Sequence, residues 1–300
     1  MKIAITGPTG NIGSKLVRLL LDRPEHQLIL LARDRRRVAE FESAGAEVRT
    51  GDLQDANYVN RATAGADSLF WMIPPDLTTP DITEFQDTII RNGTDAIRGN
   101  HIRQVVFLSS IGAHRDSGTG PINGLHRGEE VLRSTGASLL ILRPGFFMEN
   151  FLWQIQPIEQ DHALFFPVSG SVSLPLIATR DIAAVAADVL AGSFAGVRRQ
   201  HLLGPRDYSL EEATRILGQA LGFELTYVRI SSGEARDNLL RQGMSASIAD
   251  SFIELYKALE NGWMRPEYPR DADSTTPTTL EDFAREVFVP AYQHTLAAAR

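Results

Sequence analysis

Short apolar runs of strand length alternate with longer amphipathic segments through the first half of the chain. Nearly every position within these runs is apolar, which is typical of strands whose two faces are both covered in a parallel sheet. The alternation predicts parallel β–α–β units and a doubly wound α/β sheet. It places strands at 2–6, 27–32, 46–50, 67–73, 104–109 and 138–142, and helices near 11–23, 34–43, 54–64, 80–99 and 123–135.

The pattern changes after Arg143-Pro144-Gly145. An aromatic-rich stretch follows, then an irregular connection near 170–175, a helix over 179–190 and one further strand near 200–203. The last ninety residues are predicted to be largely helical, with a polar interruption at 265–278. We therefore expect two parts. One is a first domain over 1–150, to which 175–204 returns, and the other is a smaller, mainly helical C-terminal lobe over 151–174 and 205–300.

Three glycines separate the first predicted strand from the first predicted helix. Such a turn presents free backbone N–H groups and the positive end of a helix dipole at one point, which favours a phosphate group. In a Rossmann-like fold the first glycine permits the turn, the second lets a pyrophosphate approach and the third lets helix and strand pack closely. An ordinary strand-to-helix turn is the alternative. The predicted dinucleotide contacts are Gly7, Thr9, Gly10, Asn11, Ile12 and Gly13.

Arg33 follows the second predicted strand and precedes Asp34 and three further arginines. At this place in a dinucleotide-binding fold, an acidic residue binds the ribose 2′-hydroxyl and an arginine accommodates a 2′-phosphate. Guanidinium groups suit phosphate through paired N–H donors. Arg33 therefore favours NADPH or NADP⁺ over NADH, although Asp34 weakens this prediction. The alternative is a solvated basic start of the next helix.

The ends of the third and fourth predicted strands supply further candidate cofactor contacts. Asp52, followed by Leu53, is placed to accept a hydrogen bond from an adenine amino group, or equally to cap the helix that follows. Met72, Ile73 and Pro74 end the fourth strand and should lie along the cofactor at the carboxyl edge of the sheet.

Composition excludes several other kinds of protein. Apolar residues make up 43% and charged residues 22% of the chain, as in an ordinary globular protein, and its net charge of −7 argues against a nucleic-acid partner. Cysteine is absent, no pair of histidines has metal-ligand spacing, and no hydrolase Gly-x-Ser-x-Gly motif occurs. No apolar run is long enough to cross a membrane, and the strand begins at once without a signal-peptide layout. We expect a cytoplasmic monomer or homodimer with a small-molecule substrate, no metal site and no membrane contact.

Several motifs together resemble the NmrA-like branch of the atypical short-chain dehydrogenases/reductases. They are Gly7–Gly13, Gly51-Asp52-Leu53, Leu108–Gly112, Leu142–Asn150, Asp181–Ala186 and Thr278–Ala284, and the resemblance covers essentially the whole chain. That family includes NADPH-dependent quinone and triphenylmethane-dye reductases, and regulators that bind the dinucleotide without turning it over. The resemblance implies a dinucleotide-binding domain with a substrate-binding C-terminal lobe, but it does not imply a particular substrate.

The Tyr-x-x-x-Lys pair that usually passes a proton in short-chain dehydrogenases is missing. Lysine occurs only at positions 2, 15 and 257, and the segment expected to hold the pair has Ile122 and His126 instead. His126 is a candidate proton donor or a partner of the nicotinamide ribose, or alternatively a helix-surface or capping residue. Ser109 and Ser110 end the fifth strand and are candidate catalytic residues, or alternatively bond to the local backbone.

Phe146 to Trp153 form the aromatic-rich stretch. It is predicted to wall an apolar pocket above the nicotinamide, or alternatively to fill the core between the two lobes. In the first case Phe146 contacts the cofactor, and Met264 and Tyr256 help to close the pocket from the helical lobe. The candidate substrate-binding residues are Phe147, Asn150, Trp153 and Trp263.

These observations support three functions. The first is an NADPH-dependent reductase that transfers hydride to a small, conjugated, apolar acceptor such as a quinone, enone or imine, without the tyrosine–lysine pair. The second is a regulator that senses NADP(H) and binds a protein partner without turnover. The third is a biosynthetic enzyme that performs non-redox chemistry on the same scaffold, which the fold alone does not separate from the others.

Overall fold

The computed structural model describes residues 1–298. Its strands in chain order are β1 (Lys2–Thr6), β2 (Gln27–Ala32), β3 (Glu47–Thr50), β4 (Ser68–Trp71), β5 (Gln104–Leu108), β6 (Ser138–Pro144), β7 (Phe146–Phe147), β8 (Ala163–Phe166), β9 (Ser173–Ile177), β10 (Val197–Leu202), β11 (Asp207–Ser209) and β12 (Thr226–Arg229).

Its α-helices in chain order are α1 (Gly13–Leu21), α2 (Ala39–Ser43), α3 (Ala56–Thr63), α4 (Ile82–Gly99), α5 (Ile122–Arg133), α6 (Ile155–Asp161), α7 (Thr179–Ala191), α8 (Leu210–Leu221), α9 (Ser232–Arg241), α10 (Ala246–Glu260), α11 (Leu280–Phe283) and α12 (Val289–Ala298). Short 3-10 segments cover Arg35–Val38 and Met148–Gln154, and a π-helical turn covers Ala284–Phe288. No helix within residues 1–298 combines the length and the apolar character needed to cross a bilayer.

The predicted doubly wound α/β sheet is confirmed. Seven parallel strands lie in the order β10-β6-β5-β4-β1-β2-β3, so β1 and β4 are neighbours in the middle of the sheet. The direction of winding reverses at this pair, and a crevice therefore opens outside the carboxyl ends of the strands. We call this side the carboxyl edge of the sheet.

Both faces of the central sheet are covered, which explains why its strands are apolar throughout. In β1, Ile3 and Ile5 belong to a core shared with α1 and α7, whereas Ala4 points to a second core shared with α3, α4 and α5. Alternation of side chains along a strand produces this division. The two cores together hold the carboxyl edge rigidly in place.

The rest of the chain forms a smaller lobe with a core of its own. Sheets β11-β9-β7 and β12-β8 pack with helices α6, α8, α10 and α11 around Phe151, Leu164, Leu217 and Phe283. The chain returns to the central sheet between these elements, because α7 packs on α1 and β10 pairs with β6. The predicted division into two domains stays a prediction, and its last two residues, 299 and 300, lie outside the described part.

Most element boundaries differ from the predicted ones by one to three residues, and two of the differences bear on the site. The helix predicted over 34–43 begins as the 3-10 segment Arg35–Val38, because the Asp34 carboxylate accepts a hydrogen bond from the Arg36 backbone N–H and starts a tight turn. Strand β6 continues to Pro144 rather than ending at 142, since its ladder with β10 extends to the Leu202–Pro144 pair. Because β6 is longer than predicted, the chain reaches the carboxyl edge of the sheet at Pro144 and enters the lobe from there.

A buried ion pair joins α5 to β6 beneath that edge. The Arg143 guanidinium donates to both carboxylate oxygens of Glu129, at 2.9 and 2.6 Å, and both side chains are almost fully buried. Glu267, from the segment after α10, also pairs with Arg143. Removing one partner of such a pair leaves a desolvated charge without full compensation.

Glu129→Ala should therefore lower the free energy of unfolding by about 3 kcal/mol, near the low end for a broken buried pair because Glu267 still contacts Arg143. Urea unfolding measures the change. The matched control is Glu130→Ala, which removes an exposed carboxylate that pairs with Arg133 at 3.1 Å. The control should cost less than about 0.5 kcal/mol. Equal losses for the two variants would contradict a stabilising role for the buried pair.

Candidate functional site

The turn between β1 and α1 requires glycine at two positions. Gly7 has φ +63°, a left-handed conformation that side chains disfavour. A Cβ on Gly13 would lie 2.0 Å from the Gly7 carbonyl oxygen, so the first turn of α1 can form there only without a side chain. Ile12 precedes the helix and supplies no capping side chain. The Gly13 N–H at the start of α1 forms no hydrogen bond within residues 1–298 and is available to an anion, whereas the Ser14 N–H donates to the Gly10 carbonyl at 3.0 Å.

Lys15 stabilises this turn through two hydrogen bonds. Its ammonium group donates to the Asn11 carbonyl at 2.7 Å and to the Thr179 hydroxyl at 3.1 Å. Thr179 in turn donates through its backbone N–H to the buried carboxylate of Glu149, at 3.1 Å. Burial lowers the pKa of Lys15, and the nearby Glu149 carboxylate opposes that shift. Sequence reasoning did not find this cluster, because its members are far apart along the chain.

A cleft opens beside the turn, at the carboxyl ends of β1 to β4. It brings together six of the predicted cofactor contacts, along with residues that were not predicted, including Leu31, Gly51, Pro75, Phe85 and Ile89. Parallel strands end at a common edge, which is why segments so distant in sequence meet here. The predicted contacts that line the cleft are Gly7, Thr9, Arg33, Asp52, Leu53 and Pro74.

Asp52 does not cap the following helix. One of its carboxylate oxygens accepts a hydrogen bond from the Gln54 backbone N–H at 2.8 Å, while Asp55 caps α3 by accepting from Asn57 and Tyr58. This geometry removes the capping alternative for Asp52. Its role at the adenine stays a prediction.

Met72 and Ile73 follow β4, and their side chains pack on opposite faces of the central sheet. Met72 packs over the turn, so that a Cβ on Gly7 would lie 2.6 Å from its sulfur. Ile73 packs against the core on the α4 side of the sheet instead. Met72 therefore lies at the middle of the crevice, and its backbone N–H is held by the Thr6 hydroxyl at 2.9 Å.

The candidate catalytic residues lie farther along the same edge. The Ser109 hydroxyl donates to Glu129 at 2.5 Å, so its hydrogen is used inside the buried ion pair. Ser110 is partly exposed at the end of β5. His126 lies on α5 and donates from Nδ1 to the Ala113 carbonyl at 2.9 Å. A neutral ring with its proton on Nδ1 has an accepting Nε2, which suits contact with a ribose hydroxyl better than proton donation.

An apolar cavity of about 230 Å³ lies between the end of β6 and the lobe. Asn150 and Trp153 from the aromatic-rich stretch line it, as predicted, and Tyr256 lines it from α10. The lining contains no charged side chain. Its remaining members come from α6, β8, α9 and α10, including Pro157, Phe165, Phe166, Ile230, Leu239, Phe252 and Leu255.

Three predicted placements need correction. Phe146, predicted at the cofactor, lines the apolar cavity, whereas Phe147, predicted at the substrate, packs against the core of the central sheet. The two residues form β7, and successive side chains of a strand point to opposite faces. Trp263 lies outside the cavity, 38% exposed, with the Arg115 guanidinium stacked 3.9 Å from its ring. Trp263 therefore packs against the loop before α5, which contains Arg115.

The uncapped helix start, the left-handed turn at Gly7 and the adjacent cleft fit the pyrophosphate and adenosine of a dinucleotide. A protein-family model described as NAD(P)H-binding matches residues 7–192. The chain belongs to this NAD(P)H-binding family. The resemblance to the NmrA-like branch is also confirmed. The glycine turn and the cleft residues would hold the cofactor.

The proteins similar to this chain include reductases. The chain is 30% identical to an NAD(P)H azoreductase from Xenophilus azovorans over 254 residues, covering 85% of this chain and 86% of that one. Two solved structures each superpose with a TM-score of 0.80 at 21% identity, covering 95% of this chain and 99% of the other. They are an NADPH-dependent quinone oxidoreductase from Escherichia coli and a triphenylmethane reductase from Citrobacter sp.. These two structures show the common fold.

Two glycine variants should separate folding from cofactor binding. Gly13→Ala should lower the free energy of unfolding by about 1–3 kcal/mol, because the new methyl group meets the Gly7 carbonyl. At Gly10 a Cβ would make only an ordinary contact at 3.5 Å, so Gly10→Ala should leave stability nearly unchanged. Its methyl group would instead occupy the approach to the turn and weaken NADPH binding about tenfold or more.

Thermal unfolding and titration of NADPH fluorescence measure the two effects. Stability losses of the same size for Gly10→Ala and Gly13→Ala would contradict the separation. Unchanged NADPH affinity in Gly10→Ala would remove Gly10 from the phosphate site.

Proposed function

We propose that the protein is an NADPH-dependent reductase of a flat, conjugated, uncharged or charge-delocalised acceptor such as a quinone, azo compound or triarylmethane dye. The observation that carries the proposal is the position of the uncharged aromatic cavity. It begins at Phe146, two residues after the end of β6, on the same edge as the dinucleotide cleft. Ligands of doubly wound sheets bind across this edge.

The bound dinucleotide would supply a hydride, and the chain would bind and orient the acceptor. The aromatic walls favour a planar ring system, and they also tolerate a delocalised cation. Apolar walls exclude water from the acceptor, and close positioning of two reactants supplies much of the rate acceleration. Hydride transfer to a conjugated acceptor therefore makes small demands on a protein acid, which is consistent with the missing tyrosine–lysine pair.

The preference for NADPH is supported by the arginines that follow β2. Arg33 is exposed, lines the cleft and forms no ion pair within residues 1–298. Its neighbours are engaged, because Arg36 pairs with Asp34 at 2.7 Å and Arg35 donates to Glu42 at 2.9 Å. The Arg36 guanidinium lowers the pKa of the Asp34 carboxyl to about 2. Asp34 is thus occupied by its own partner. Arg37 forms no ion pair within residues 1–298 either, but Arg33 is the arginine of this run that lines the cleft, which supports it as the partner of a 2′-phosphate.

An acceptor panel tests the reductase function. Purified protein should oxidise NADPH in the presence of menadione, a neutral azo dye or a triarylmethane cation, as followed by loss of NADPH absorbance. The same panel with NADH is the comparison and should give lower kcat/KM. Saturable NADPH binding without oxidation by any acceptor would contradict the proposal and favour the regulator.

Arg33→Ala tests the coenzyme preference. Loss of charge-assisted hydrogen bonds to a phosphate should raise the Kd for NADPH about 10- to 100-fold, with less than about threefold change for NADH. Arg35→Ala is the matched control, because it removes an exposed arginine from the same run that already pairs with Glu42. It should change either Kd less than about threefold. A similar loss for both coenzymes in Arg33→Ala would rule out 2′-phosphate recognition by this residue.

A further inference from the structure

The hydroxyl of Tyr256, on α10, is a hydrogen-bond donor in the wall of the apolar cavity. Its ring lies in the cavity wall, with centroids 6.4 Å from Phe166 and 6.3 Å from Phe252. Within residues 1–298 its hydroxyl forms no hydrogen bond, and burial is the sole cause of its altered pKa. Tyr256 is half-buried, and its hydroxyl is not one of the fully buried polar atoms that lack a partner. The donor is therefore free to bond to a group that enters the cavity.

Other tyrosines of the chain show the contrast. Tyr58 donates to the Arg49 carbonyl at 2.6 Å, Tyr227 to the Val168 carbonyl at 2.6 Å and Tyr208 to Glu281 at 3.2 Å. Each of these three hydroxyl groups bonds to another segment of the chain. Tyr256 is the tyrosine that lines the cavity and keeps its donor free.

Four amides also line the cavity: Asn150, Gln154, Asn238 and Gln242. Gln154 and Asn238 use their side-chain oxygens within the protein, since Gln154 accepts from the Phe165 backbone N–H at 3.1 Å and Asn238 accepts from Arg241. Tyr256 differs from all four amides because two aromatic rings pack against its own ring and fix the direction of its side chain. A donor held this way is oriented before the ligand binds.

We propose that the Tyr256 hydroxyl donates a hydrogen bond to a carbonyl oxygen of a quinone or enone bound in the apolar cavity. The inference rests on the proposed reductase function. A quinone would accept the hydride at one carbonyl oxygen, where an O–H bond forms with the electron pair of the C–H bond that breaks in NADPH, and NADPH is oxidised to NADP⁺. The second quinone oxygen takes up the negative charge, Tyr256 donates a hydrogen bond to it, and a proton from water completes the hydroquinone.

The protonation state of Tyr256 supports a donor that keeps its hydrogen. Burial raises the pKa of Tyr256 to about 12, so the hydroxyl stays protonated through the neutral range. A lysine would lower such a pKa, but Lys257, its neighbour in sequence, is exposed and does not contribute. Tyr256 would therefore stabilise the oxyanion by hydrogen bonding and would not transfer its own proton.

Ligand binding without the dinucleotide tests the contact directly. Menadione and 2-methylnaphthalene share a fused ring and a methyl group, but only menadione has carbonyl oxygens. Quenching of tryptophan fluorescence reports binding, since Trp153 lies in the wall. Tyr256→Phe should raise the Kd of menadione about 5- to 15-fold and that of the hydrocarbon less than about twofold.

Turnover gives a second, independent readout. With menadione, Tyr256→Phe should lower kcat about 10- to 100-fold, because the lost donor stabilises charge that develops on oxygen. A triarylmethane cation accepts hydride on carbon and forms no oxyanion, so its kcat should change less than about threefold by the same reasoning. The control is Tyr227→Phe, which removes a hydroxyl bonded to Val168 and should leave the ratio of the two rates unchanged.

The outcomes separate the inference from the proposed function. Equal menadione affinity and equal menadione turnover in wild type and Tyr256→Phe would overturn the inference. So would equal losses of affinity for menadione and for the hydrocarbon. If Tyr256→Phe selectively weakens menadione binding but wild-type protein oxidises NADPH with no acceptor, the carbonyl contact stands and the reductase function fails.

Discussion

The space between the Gly7 carbonyl and the start of α1 admits no side chain, and the site depends on this close approach. A Cβ on Gly13 would lie 2.0 Å from that oxygen. Because the helix begins so near the end of β1, its free Gly13 N–H faces the crevice between β1 and β4 rather than open solvent. Two core layers fix β1 from both sides, so the turn is held by the most rigid part of the molecule.

The same turn is connected to the apolar cavity through a short series of contacts. Lys15 holds the Asn11 carbonyl and the Thr179 hydroxyl, and Thr179 holds the buried carboxylate of Glu149. Asn150, the next residue, lines the cavity. A displacement of the turn would therefore shift Glu149 and, with it, Asn150 in the cavity wall. Under the proposed function, this series of contacts would help to set the distance between the bound dinucleotide and the acceptor.

The sequence predicted the features whose signals are local. Apolar runs located the strands of the central sheet, and the spacing of Gly7, Gly10 and Gly13 located the turn, because neighbouring residues alone determine both. Only part of the cavity wall could be predicted, namely Asn150, Trp153 and Tyr256, since the rest comes from β8, α9 and other elements that meet only in the folded chain. Phe146 and Phe147 show the limit. Pairing of β7 with Leu176 and Ile177 of β9 decides which ring faces the cavity, and no local pattern records that register.

The missing tyrosine–lysine pair changes how the site has to work. In that pair the lysine makes the tyrosine a better acid, which a saturated carbonyl needs because its alkoxide is strongly basic. This chain places His126 at the position of the lysine, with an accepting Nε2 when neutral, and its cavity has no charged side chain. Under the proposed reductase function, such a cavity would give little help to a localised alkoxide. That function would therefore favour an acceptor that spreads the added charge over its own ring system, a preference that comes from the cavity walls and not from the fold.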